Sequence, residues 1–178
     1  MQTLKAMNKR NKIILRYILK NENQVIIIRK VAKKLKINVA SVSIFIRKLK
    51  KSGIVRGNSV DGDNPYTRAW KFLLNIEELL PYINRITHGL DALGIGVYGS
   101  WVKGTNNENS DVDFWVKVNS EPNEIHIARM RAKIRRWIGT EPSFMFITDK
   151  KLRELEKNNK QLYFALVNSY HLGGEWLD

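Results

Sequence analysis

The 178-residue sequence contains no cysteine, which excludes a disulfide framework and any thiolate metal site. Its three histidines are scattered, so a zinc centre is not expected. No apolar run approaches the length needed to span a membrane, and the start, Met1-Gln2-Thr3-Leu4-Lys5, lacks the apolar core of a signal peptide. These absences lead us to expect a cytoplasmic protein without a membrane partner. Negative charge is scarce in the first part of the chain. From Met1 to Asn75 there are 18 Lys and Arg against three acids, Glu22, Asp61 and Asp63, a net of +15. From Ile76 to Asp178 the balance is 13 against 14, a net of −1. Charge serving solubility alone would not confine itself to one half. The asymmetry suggests a nucleic-acid-binding module joined to a near-neutral one, residues 1–75 and 76–178.

What is present supports two modules, each with a core, since 43% of the residues are hydrophobic. Ile13, Ile14, Leu15, Tyr17, Ile18 and Leu19 form a helical stripe, and Arg29–Leu35 reads as a second helix. A third is expected from Val39 to Lys51, stopped by Ser52-Gly53. At 100° per residue, Val42, Phe45, Ile46 and Leu49 share its inner face. Ala40, Ile44, Arg47, Lys48 and Lys51 lie opposite, flanked by Ser41 and Ser43. Cations neutralise phosphates, Arg can grip guanine, and an apolar group can touch a thymine methyl. Ser41, Ser43, Ile44, Arg47, Lys48 and Lys51 are therefore the candidate duplex-DNA contacts. Ile54-Val55-Arg56 and Tyr66–Leu74 read as two strands of a hairpin with a polar tip, Asn58–Asn64. In element order Ile13–Leu74 resembles a winged helix-turn-helix. Ile76–Leu93 is expected to be a helix, irregular near Pro81, that joins the modules without a long flexible linker.

The second module centres on Gly94–Val116. Ile95, Val97 and Tyr98 lead as a strand into Gly99-Ser100, where glycine permits a backbone conformation closed to other residues and suited to cradling phosphate. Ten residues separate Ser100 from Asp111. Asp111-Val112-Asp113 then enters the apolar run Phe114-Trp115-Val116. Carboxylates two apart on a strand point the same way, and a cation or water must relieve their repulsion.

Tyr98–Val116 resembles the signature of DNA polymerase β-like nucleotidyltransferases, especially their minimal domains: Gly-Ser, about ten residues, then Asp-hydrophobic-Asp. The resemblance implies an α+β fold, a mixed sheet flanked by helices, following the winged helix. It implies that Gly99, Ser100, Lys103 (usually arginine in the family) and Ser110 bind a nucleoside triphosphate. It also implies that Asp111 and Asp113 hold Mg²⁺ or Mn²⁺. Active members carry a third carboxylate on the third strand, which helps hold the catalytic metal and can take the acceptor's proton. The expected position falls nearest Met145, a poor ligand for a hard cation. Glu141 and Asp149 are the nearby substitutes, and Glu141 is the candidate taken for the catalytic set. The implied activity is nucleotidyl transfer from a Mg–NTP to a hydroxyl, coupled to nucleic-acid binding. The alternative is a weakly active or inactive DNA-binding regulator or antitoxin-like protein, with a protein partner or a second copy of itself.

Overall fold

The computed structural model describes residues 7–177. The chain divides into two compact units, Met1–Leu74 and Asn75–Asp178.

In the N-terminal unit, α1 (Lys9–Lys20) is capped by Asn8, whose side chain accepts the Asn11 N–H at 2.8 Å. It buries Ile14, Leu15, Ile18 and Leu19. The β-branched run Val25–Ile28 forms no strand but leads into α2 (Ile28–Leu35). That helix ends on Lys36 in the left-handed conformation. α3 (Val39–Lys51) is capped by Asn38 and buries Val42, Phe45, Ile46 and Leu49, the four residues the periodicity places inward. A small antiparallel hairpin follows, β1 (Val55–Arg56) with β2 (Ser59–Val60).

The returning strand expected over Tyr66–Leu74 does not form; the segment belongs to α4 (Pro65–Leu79). Asn64 accepts the Tyr66 N–H at 2.8 Å, and Pro65 opens the helix where its missing N–H costs nothing. Thr67, Lys71 and Leu74, spaced by four and three, are buried. Lys71 tolerates burial because its Nζ lies 2.9 Å from the Glu22 carboxylate. This buried polar pair hides the helical face from a search for apolar periodicity.

The C-terminal unit is built on a four-stranded mixed sheet in the order β5 (Pro142–Ile147), β4 (Val112–Lys117), β3 (Gly94–Tyr98), β6 (Tyr170–Gly174). Its helical entry is interrupted at Pro81: a 3₁₀ turn, Leu80–Tyr82, separates α4 from α5 (Ile83–Gly89). β3 (Gly94–Tyr98) is antiparallel to both β4 (Val112–Lys117) and β6 (Tyr170–Gly174). β4 is parallel to β5 (Pro142–Ile147), and α7 (Glu124–Ile138) makes the crossover that a parallel pair requires. Between β3 and β4 lies a short helix, α6 (Ser100–Lys103). α8 (Asp149–Asn158) and α9 (Lys160–Val167) precede β6.

Trp115 and Ile147 pack with Leu152, Leu166 and Leu177, and Tyr98 and Met145 join this cluster at its edge. The Trp115 indole lies where a side chain on Gly96 would be, so only glycine fits that cross-strand position. On the alternate strand positions, Phe114 stacks on Phe144 with centroids 5.7 Å apart. α7 buries Met130, Ile134 and Ile138.

Candidate functional site

β3 ends at the backbone feature that shapes the site. Gly99 has φ 70° and ψ −142°, a region essentially reserved for glycine. Ser100 then starts α6, which Gly104 closes in the left-handed conformation. The Lys103 N–H bonds the Gly99 carbonyl at 3.2 Å, and the Thr105 N–H bonds that of Ser100 at 3.0 Å. Ser100 is half-buried and Lys103 is exposed.

Asp113 sits on β4 opposite Tyr98. A Cβ built on Gly99 would stand 2.6 Å from Oδ2 of Asp113. The carboxylate therefore lies against the turn itself, in space only glycine leaves open. Burial raises the Asp113 carboxyl above the ordinary aspartate value, and the negative charge of Asp111 raises it further. Burial likewise raises the Tyr98 phenol, with Asp113 adding to the shift. Asp113, beside Gly99, thus feels the charge of Asp111 and in turn acts on Tyr98. Asp111 lies just before β4 and is exposed. Tyr98 was read from the sequence only as a strand former; the β3–β4 register gives it its place.

The loop between α6 and β4 is held from within. Ser110 accepts the Asn107 N–H at 2.9 Å through its hydroxyl, and its own N–H bonds the Asn107 carbonyl. Its side chain is therefore already used in shaping the loop. Buried Asn75 donates to the Trp101 carbonyl and to Oδ1 of Asn106, both at 2.9 Å. This pair anchors α6 and the loop from beneath. Two asparagines 31 positions apart give no sequence signal of being partners.

The parallel register decides what stands beside the acids on the third strand. Asp113 pairs with Ser143, and Met145 pairs with Trp115. The position alongside Asp113 is therefore Ser143, two residues before the Met145 expected from sequence. Glu141 directly precedes β5, and its carbonyl accepts the Val112 N–H at 2.9 Å. Its backbone thus adjoins the acidic strand, while its carboxylate lies 3.5 Å from Arg135 of α7. Asp149 begins α8 at the far end of β5, 3.9 Å from Lys117. Among the described residues no three Asp, Glu, His or Cys converge as a metal cluster.

Two adjacent carboxylates nevertheless suit Mg²⁺, which is commonly bound by one or two carboxylates plus substrate phosphates and water. Asp111 and Asp113 are hard oxygen donors whose mutual repulsion a divalent cation would relieve.

On α3, Arg47, Lys48 and Lys51 are exposed, and Ile44 is 50% exposed; Ser41 and Ser43 are half-buried. Ser41, Ile44, Phe45 and Lys48 line a small groove of about 140 Å³ with Asn8, Arg10 and Asn11. Arg10 and Asn11 come from α1 and were not among the sequence candidates. Lys50 reaches Asn58 in the hairpin turn at 3.4 Å.

Residues 76–167 match a family model described as a nucleotidyltransferase domain. The chain belongs to this nucleotidyltransferase family. The matched span contains β3, α6, β4, α7 and β5, and so the whole Gly99–Asp113 constellation of the nucleotidyltransferase domain. No curated protein and no solved structure matches the chain. No helix among the described residues is long and apolar enough to cross a membrane.

Proposed function

We propose that this protein transfers a nucleotidyl group from an NTP to a hydroxyl acceptor, and that its N-terminal unit binds nucleic acid. The observation that carries the first part is the packing of the Asp113 carboxylate against the Gly99 turn. It supports the reading because Gly99, proposed for phosphate, lies against Asp113, proposed for metal. Gly99, Ser100 and Lys103 would receive the triphosphate. Asp111 and Asp113 would hold Mg²⁺, or Mn²⁺ in its place, and the bound metal would neutralise charge on the phosphates. The acceptor oxygen forms a bond to the α-phosphorus, the bond from that phosphorus to the β-phosphate bridge oxygen breaks, and pyrophosphate leaves. Glu141 is the carboxylate proposed to take the acceptor's proton; one of its oxygens lies 3.5 Å from Arg135. Ser110, proposed to contact the nucleotide, also closes the loop by accepting the Asn107 N–H.

Incubation with each labelled NTP, Mg²⁺ and broad acceptor pools is expected to yield a labelled acceptor. Asp111→Ala with Asp113→Ala should abolish the label. A second reading rests on Ser143, which gives the strand position beside Asp113 no charge. In that reading the site binds Mg–NTP without turnover, and the protein acts as a nucleotide-responsive regulator or as one half of a protein pair. Calorimetry separates the two: Mg²⁺-dependent NTP uptake without pyrophosphate release supports the second, and no uptake of any NTP removes both.

For the N-terminal unit, the exposed face of α3 supports duplex DNA as the partner, through Ser41, Ser43, Ile44, Arg47, Lys48 and Lys51. Filter binding or fluorescence anisotropy should show salt-dependent affinity for duplex DNA.

A further inference from the structure

The N-terminal unit holds a second groove, which shares Phe45 and Lys48 with the smaller one beside α1 and α3. It is about 490 Å³ in volume, within the range of roughly 300–1,000 Å³ usual for small-molecule sites. Buried Phe45, Leu49 and Ile54 contribute to its lining. Tyr66 and Trp70 of α4 add ring surface, and Tyr66 is 55% exposed. Lys48 and Lys51, three apart on α3, are exposed and line the same groove.

We infer that this groove is a binding site for a small aromatic anion, the ring lying among Phe45, Tyr66 and Trp70 and a carboxylate lying at Lys48 and Lys51. An apolar pocket with a few convergent charges fixes both the body and the head of a ligand. Aromatic walls favour a flat ring, which packs with them by stacked or edge-on contact. The charge argument is specific to this unit. Its three carboxylates are already committed: Glu22 to Lys71, Asp61 to Arg56 and Asp63 to Arg68, each within 2.9 Å. A counter-charge for Lys48 and Lys51 is therefore not supplied by an acid of their own unit. Lys48 lines the smaller groove as well, so an occupant would draw one cation away from the face proposed for nucleic acid. The site itself does not depend on that proposal.

Naphthalene-2-carboxylate serves as the probe, titrated into the full-length protein by calorimetry. Saturable binding to one site is expected. The uncharged analogue naphthalene-2-methanol should bind about tenfold more weakly, equivalent to about 1.4 kcal/mol. Lys48→Gln with Lys51→Gln should weaken the carboxylate similarly and leave the alcohol unchanged. Tyr66→Ala, at an exposed position, should weaken both. Melting temperatures of the variants show that they remain folded. No saturable uptake of the carboxylate overturns the inference; so does equal affinity for the alcohol, or undiminished affinity in the folded double-lysine variant.

Discussion

Gly99 and Asp113 constrain each other. A side chain at Gly99 meets two obstacles, a backbone region barred to L-residues and the Asp113 carboxylate. Gly99→Ala should cost about 1–3 kcal/mol of stability from the backbone alone, read as a lower melting temperature, together with lost Mg–NTP uptake. Asp113 has a folded-state pKa above its unfolded value. In the window between those values the folded state binds more protons than the unfolded chain, so stability falls as pH rises through it. Above the window the cost is fully present. Asp113→Asn should therefore raise the melting temperature of the metal-free protein at neutral pH, by about 2–4 °C for each ~1 kcal/mol relieved. The same variant should lose Mg²⁺ binding. In the wild type, Mg²⁺ affinity should rise with pH through that window, because the ion takes the carboxylate form. Asp111→Asn should bring the Asp113 titration, followed by carboxyl-carbon NMR, back toward the ordinary range.

At the scale of elements, the β4–β5 register gives the sharpest test. Ser143→Asp places a third acid on the strand neighbour of Asp113. In the metal-free protein it adds like charge and should lower the melting temperature. With Mg²⁺ it should tighten metal binding, by about tenfold if it contributes ~1.4 kcal/mol, and raise any nucleotidyl transfer. If Mg²⁺ binds no more tightly to the folded variant, Ser143 is not the position of the third ligand. This register was beyond sequence reading because a shift of two residues preserves the face on which every side chain falls. The apolar run Phe144-Met145-Phe146-Ile147 is compatible with either alignment. Helix α3 was legible because its apolar and cationic faces are cleanly separated. α4 was not, since polar Thr67 and Lys71 occupy part of its buried face, while alternating Trp70 and Phe72 imitate a strand.

Across the whole molecule, charge is the dominant asymmetry. The first 75 residues carry a net of +15 and the remainder −1. Duplex binding through α3 should therefore fall steeply with salt. Arg47→Ala with Lys48→Ala should weaken binding and lessen the log–log salt slope by about 0.9 for each phosphate contact removed. Unchanged affinity and slope would place the nucleic acid elsewhere or nowhere. Within the C-terminal part, α7 carries five Lys and Arg against one acid. Most of these cations are solvated, and Arg135 is the one paired with Glu141.

The sequence by itself determined which residues are the candidates for chemistry: the Gly-Ser turn and the acids two apart, beside the separation of cations from a neutral half. Such information is local or additive, so spacing and composition carry it. Tertiary structure alone decided which groups meet: Tyr98 with Asp113, Ser143 beside Asp113, and Asn75 beneath the loop. Those meetings depend on register and on burial of paired polar groups, which chain order does not encode in any short window.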